Sequence, residues 1–162
     1  MNLAALLSDR RKEILDAWLS SILDTYPADS AAFMRRQPNR FANPVGDTFA
    51  RETAALFDRL VGNEDTVLAA QAIERINKIR AVQDFSASEA VAFVFFLKSA
   101  VRKALSRELA DGRLTAELLA FESKIDDLAL LVFDGYMQCR EKLFEIRCDS
   151  IRRQHTGYRP IK

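Results

Sequence analysis

The chain has 162 residues, of which 49% are hydrophobic, so it is long enough for one domain with a sizeable core and too apolar to be disordered. Lys and Arg number 24 against 23 Asp and Glu, and this balance gives no bulk attraction to nucleic acid or to an anionic membrane. Five glycines and four prolines provide few turns for a many-stranded sandwich or barrel, so the composition favours an all-α fold.

Apolar spacing and helix-capping signals predict about six helices. Ser8 is the predicted N-cap of the first helix, and Asn43 followed by Pro44 is a start signal for the third. Gly62 marks the end of that third helix. The predicted bounds are 9–25, 30–36, 44–62, 65–81, 86–109 and 115–153. No strand pattern competes with these segments, so the sequence predicts a helical bundle.

The fifth helix, 86–109, is the predicted centre of the fold. Ser86 and Glu89 have the S-x-x-E spacing of a capping box, in which each side chain satisfies the other residue's backbone N–H. The run 90–97 that follows reads AVAFVFFL and is hydrophobic all round. A helix without a polar face is typically buried, so we expect this one to be surrounded by other helices.

The last helix, 115–153, is longer than a small domain can cover, since each residue adds 1.5 Å. Its second half has apolar residues on two faces, and only one face can pack on the central helix. The second face consists of Leu130, Phe133, Met137 and Phe144. Soluble monomers rarely expose such a patch, so we predict a homodimer that buries it, with Gly135 allowing a close backbone approach. The alternative is that Trp18 and Leu19 of the first helix cover this face within one chain.

Several classes of site are excluded by what the sequence lacks. His155 is the only histidine and lies among polar residues near the end, so we predict no histidine-based metal site, no haem, no catalytic triad and no enzyme. Cys139 and Cys148 point to opposite faces of one predicted helix and are expected to be reduced. No signal-peptide core or run of about 20 apolar residues is present, which predicts a cytoplasmic protein with no membrane contact.

A ligand site is a further prediction, with two interpretations open. The eleven phenylalanines either fill the core or, at Phe93 and Phe96, line a partly unfilled pocket for an apolar ligand. Arg75 and Arg80 lie between apolar residues near a helix end, where each either forms an ion pair or binds an anion or a lipid carboxylate. The candidate carboxylate partners are Asp84, Asp47 and Glu52. The predicted ligand-binding residues are Phe93, Phe96 and Arg80.

Four segments carry a resemblance to a known family. They are ILDAW at 14–18 with a nearby Tyr26, RFANPV at 40–45, IRAVQDFS at 79–86 and EAVAF at 89–93. In these segments the chain resembles the N-terminal domain of the RsbRD-type RsbT co-antagonists of the bacterial stressosome, over roughly residues 9–110. The resemblance implies a sensory input module, similar to globins without haem, that usually precedes a STAS domain.

The resemblance and the residues together predict a non-catalytic regulatory module for bacterial stress signalling. We expect a single helical domain over 1–153 and a flexible basic tail over 154–162. The chain ends without an α/β segment, so the expectation is a free-standing module. Its expected partners are a second copy, a regulatory protein on the C-terminal helix and an apolar ligand. The alternative function is a lipid or pigment carrier without a signalling role.

Overall fold

The computed structural model describes residues 2–62 and 66–156, and every regular element in this part of the chain is an α-helix. The all-α prediction is therefore confirmed, with seven described helices where about six are predicted. They are α1 (Leu3–Asp9), α2 (Arg11–Leu23), α3 (Ala28–Arg36), α4 (Pro44–Val61), α5 (Thr66–Val82), α6 (Ala87–Ala104) and α7 (Thr115–Thr156). None of these helices is long and apolar enough to cross a membrane.

The additional helix is α1, and it corrects the predicted start of the first helix. Asn2 caps α1, because its side-chain oxygen accepts a hydrogen bond from the Ala5 amide at 2.9 Å. Ser8, the predicted N-cap, lies inside α1, where its hydroxyl donates to the Ala4 carbonyl at 3.0 Å. The chain bends at Arg10 before α2 begins, so the leading apolar residues form a separate short helix whose leucines are buried.

The other capping signals are confirmed. The Asn43 side chain accepts a hydrogen bond from the Gly46 amide at 3.0 Å and starts α4. Gly62 ends α4 in the left-handed region, with φ of 114°, which glycine adopts without steric cost. Ser86 and Glu89 form both hydrogen bonds of the capping box at the start of α6.

Helix α6 lies between α2 and α7, while α5 packs against α4 and α7. Phe93 on α6 is fully buried, and its ring stacks on that of Trp18 from α2 at a centroid distance of 6.3 Å. The Trp18 indole N–H also donates to the Phe93 carbonyl at 2.7 Å. The predicted burial of α6 all round is wrong at Phe95, which is 44% exposed, and the helix ends at Ala104 rather than at 109.

Helix α7 packs on the body as far as Leu143 and projects beyond it. Its last fully buried residue is Tyr136, and the stretch 144–156 is exposed apart from the half-buried Cys148. At 1.5 Å per residue this stretch is about 20 Å long. The helix continues to Thr156, so residues 154–156 are helical where a flexible tail is predicted, and 157–162 lie outside the described residues.

Candidate functional site

The residues predicted to form a dimer contact lie together on the surface of α7. Leu130, Phe133, Met137 and Phe144 are between 38% and 69% exposed. Trp18 is buried against α6, so the alternative in which the first helix covers this face is wrong. The sequence interpretation missed Ile151, which is also exposed and extends the face toward the helix end.

Four of these residues recur every seven positions. They are Leu130, Met137, Phe144 and Ile151, and we call them the α7 row. Seven residues fall only about 20° short of two helical turns, so the row runs nearly parallel to the helix axis. A seven-residue apolar repeat is the pattern of a helix that pairs with another helix. The spacing of the row was the signal that could have identified Ile151.

A surface cleft of about 510 Å³ adjoins the α7 row where α6 begins. Its walls include Ala87, Tyr136, Met137, Arg140 and Phe144. Two members of the row therefore form part of a concave surface rather than a smooth helix face.

Gly135 on α7 serves packing within the chain. A Cβ atom at this position would lie 2.6 Å from Nδ2 of Asn77, a fully buried residue of α5. The Asn77 amide donates to the Val132 carbonyl at 3.1 Å, which holds it against α7. The close neighbour predicted for Gly135 is thus α5 of the same chain and not a partner's backbone.

A second candidate site surrounds Arg80, whose side chain is fully buried at the end of α5. Three aromatic rings enclose its guanidinium, with distances from Cζ to the ring centroids of 4.2 Å for Phe85, 5.0 Å for Phe49 and 5.2 Å for Tyr26. These lie within the range of cation–π attraction. We call this group the Arg80 cage.

The turn after α5 places Phe85 in the cage. The Phe85 amide donates to the Arg80 carbonyl, and the Asp84 amide donates to the Ala81 carbonyl, both at 3.4 Å. Asp84 has a φ of 57°, so the turn has the hydrogen bonds and the left-handed residue of a Schellman motif. This motif commonly brings the residue after the left-handed position against the last turn of the helix, which here carries Arg80.

The same turn connects the cage to α7. The Tyr136 hydroxyl donates to the Phe85 carbonyl, and Nη1 of Arg140 donates to that carbonyl at 3.3 Å. Phe85 therefore contacts Arg80 with its ring and is bound to α7 by its backbone.

The two arginines of α5 have different partners. Arg75 donates from Nη1 to Glu52 at 3.0 Å, which confirms the predicted ion pair for this residue. Arg80 has no such pair: within the described ranges 2–62 and 66–156, its Nε and Nη2 have no hydrogen-bond partner, and Nη1 has only a 3.5 Å contact with the Thr25 hydroxyl. Burial lowers the pKa of Arg80. Electrostatic interactions with nearby side chains, of which that with Tyr26 is the largest, oppose this effect.

The predicted ligand-binding residues Phe93, Phe96 and Arg80 do not form one site. Phe93 packs edge-on against Phe49 at 6.4 Å, and Phe49 in turn faces Arg80, while Phe96 is half-buried against the main core. Phe93 thus fills space between Trp18 and Phe49 instead of lining an open pocket. Sequence reasoning missed Tyr26, Phe49 and Phe85 as neighbours of Arg80. Tyr26 and Phe49 are distant in sequence, whereas the turn from Arg80 to Phe85 was the local signal that could have identified Phe85.

A cleft of about 480 Å³ lies beside the Arg80 cage. Its walls come from α3, from the start of α4 and from the turns that follow α2 and α5. They include Tyr26, Phe33, Met34, Val45 and Gln83. Tyr26 is both a wall of this cleft and a ring of the cage. Its hydroxyl donates to Oε1 of Gln83 at 2.8 Å, and burial is the main cause that raises its pKa.

Neither site contains a metal-binding cluster. No group of three or more His, Cys, Asp or Glu side chains that could hold a metal is found in residues 2–62 and 66–156. His155 is exposed in the last turn of α7, inside the helix rather than in a tail beyond it. Cys139 and Cys148 are free and half-buried, and burial raises the pKa of the Cys139 thiol. The absence of haem and metal stays a prediction.

Comparisons with known proteins extend the resemblance along most of the chain. The family model for the RsbT co-antagonist protein rsbRD N-terminal domain matches residues 12–148. This range covers α2 except its first residue, the whole of α3 to α6, and most of α7. An uncharacterized protein of Archaeoglobus fulgidus is 21% identical over 141 residues, which span 85% of this chain and 82% of that protein. No solved structure matches the chain, and the globin-like arrangement stays a prediction.

Proposed function

Because the chain belongs to the family of the RsbT co-antagonist protein rsbRD N-terminal domain, we propose that it is a non-catalytic regulatory input domain that works as a homodimer and transmits its state through α7. The observation that carries the proposal is the α7 row, which continues from the packed part of the helix into the projecting part. An apolar row on a projecting helix is costly in water and is stabilised by a second helix.

The charged neighbours of the α7 row support its use as a contact. Arg140 and Arg147 lie beside the row, and both turn toward the body of their own chain. Arg140 donates to the Phe85 carbonyl, and Nη2 of Arg147 is 4.0 Å from the Asp84 carboxylate. These contacts give the two cations partners on their own chain, while the apolar side chains of the row stay exposed.

A role in cytoplasmic stress signalling is part of the same proposal, with a regulatory protein contacting the projecting end of α7. The carrier alternative receives less support, because Phe93 packs between Trp18 and Phe49 and leaves no lipid cavity at that point.

Light scattering tests the dimer. We expect a mass near twice the 18.3 kDa of one chain for the wild type. Phe144→Glu places a charge in the row and should move the mass toward that of one chain at micromolar concentration, because a carboxylate buried in an apolar contact is strongly unfavourable.

Ile146→Glu is the matched control for this experiment. Ile146 is 61% exposed on the same projecting stretch, but it lies on the opposite side of the helix from Phe144. The control should keep the wild-type mass. A wild type that stays a monomer at about 1 mM, or equal dissociation by both variants, contradicts the proposal.

A further inference from the structure

The Arg80 cage leaves part of the guanidinium without a hydrogen-bond acceptor. Arginine has five N–H donors in one plane. The rings of Tyr26, Phe49 and Phe85 attract its positive charge, but they accept no conventional hydrogen bond from these donors. Nε and Nη2 of Arg80, which together carry three N–H bonds, have no partner within the described part of the chain. Buried donors are normally satisfied, and a buried charge is normally paired.

The free edge of this guanidinium has the geometry of a carboxylate receptor. Nε and one terminal nitrogen of arginine form a fork that binds both oxygens of a carboxylate. The chain itself uses this arrangement twice: Nε and Nη2 of Arg11 donate to Asp58, and the same two nitrogens of Arg102 donate to Glu122. Arg80 presents the same pair of atoms, fully buried, and no carboxylate of the described residues is hydrogen-bonded to them; Glu89 acts on it only electrostatically.

The cleft beside the cage supplies room for the body of a ligand, and Tyr26, which lines it, also contacts the buried Arg80. The cleft has a volume of about 480 Å³, which lies within the usual range for small-molecule sites. Phe33, Met34 and Val45 give it apolar walls, and Tyr26 separates it from Arg80. The Tyr26 hydroxyl is held by one solvent-exposed hydrogen bond, to Gln83, so its polar restraint is weak.

The rim of the cleft limits the charge of the ligand. Asp29, in the first turn of α3, is its only lining residue with an ionisable acid or base other than the Tyr26 phenol. A carboxylate at this position repels dianions more than monoanions, because the repulsion grows with ligand charge.

We propose that this cleft binds a small monocarboxylic acid with an apolar body. Its carboxylate accepts hydrogen bonds from Nε and Nη2 of Arg80 after the Tyr26 side chain moves aside, and its apolar body packs on Phe33, Met34 and Val45. The binding of such an acid does not depend on the proposed function. Its role as the signal for the regulatory domain does.

Isothermal titration calorimetry with hexanoate and benzoate tests the site in the full chain. We expect at least one of the two acids to bind with a Kd below about 1 mM, and its neutral amide, hexanamide or benzamide, to bind at least about tenfold more weakly. Arg80→Met should weaken binding of the acid by a similar factor. Arg75→Met is the matched control: it removes an arginine of the same helix that is already paired with Glu52, and it should leave the affinity within about twofold.

A thermal melt without ligand separates a binding role of Arg80 from a structural one. We expect Arg80→Met to leave the melting temperature unchanged or to raise it, because the variant removes a buried donor set without acceptors. A melting temperature lowered by about 5 °C or more would show that the cage also serves stability, and the test of the site then rests on the variant described next.

A second variant keeps the proposal testable where Arg80→Met does not fold. Ser30→Trp fills the cleft from α3 without touching Arg80 and should also abolish binding of the acid. Failure of both acids to bind the wild type, equal affinity for acid and amide, or unchanged binding by Ser30→Trp would overturn the proposal. Light scattering on the same samples keeps the two proposals apart, since a monomer that binds acid contradicts only the dimer and a dimer that binds none contradicts only the site.

Discussion

At the residue scale, Arg75 and Arg80 show how far a sequence pattern predicts a side chain's partner. Both lie between apolar residues of one helix, and the pattern predicts for each arginine either an ion pair or the binding of an anion. The ion pair is confirmed for Arg75 with Glu52, whereas Arg80 forms none among the described residues. The difference arises because two of the three rings around Arg80, those of Tyr26 and Phe49, come from segments that are distant in sequence, so only the tertiary fold brings them to the guanidinium.

Gly135 provides a prediction at this scale. Gly135→Ala should lower the free energy of unfolding by roughly 1 kcal/mol, because displacing the buried Asn77 amide costs more than the helix propensity of alanine returns. Urea unfolding of Gly135→Ala, of Asn77→Ala and of the double variant measures this free energy. In the Asn77→Ala background the clash is absent, so Gly135→Ala should be stabilising there. A stabilising effect in the wild-type background would show that Asn77 moves freely.

At the element scale, the helix ends were largely predictable because their signals are local. Asn43, Gly62 and the Ser86 capping box act on backbone groups within a few residues, and all three are confirmed. The split of the first helix into α1 and α2 was not predictable in the same way. Its apolar residues are buried by contacts with α2 and α4, which a local pattern does not report.

Asn43 connects two elements, which gives a second prediction. Its side chain caps α4 and also donates to the carbonyls of Met34 at 2.9 Å and Gln37 at 3.1 Å. Asn43→Ala should therefore lower the free energy of unfolding by about 2 kcal/mol, more than a cap alone. Ser86→Ala, which removes an exposed cap, is the reference and should cost about 1 kcal/mol. Equal losses in chemical denaturation would mean that the bonds to Met34 and Gln37 contribute no stability.

At the scale of the whole molecule, the sequence predicts the length of the last helix and the position of its exposed apolar face, because both follow from the pattern along one helix. It does not predict the cleft beside Met137 and Phe144. That cleft depends on where α6 begins relative to α7, which is set by the packing of the body.

The organisation of the core makes haem binding unfavourable, and we predict that it does not occur. A haem needs an axial ligand that projects into a pocket, whereas His155 is exposed in the last turn of α7, beyond the packed part of the helix. Around Phe93, the centre is occupied by aromatic rings. Protein expressed with haem supplied should show no Soret band. A Soret band that disappears in His155→Ala would disprove this.

The position of Phe85 allows a small displacement near the base of α7 to become a larger displacement at its far end. Its ring lies on Arg80 and its carbonyl is bound by Tyr136 and Arg140, so a displacement of this one residue acts on α7 close to where the helix leaves the body. Thr156 lies 20 residues beyond Tyr136, a distance of about 30 Å along the helix axis. A tilt of about 5° at this fulcrum would move the far end by roughly 2 to 3 Å, which is enough to change how two helices interlock.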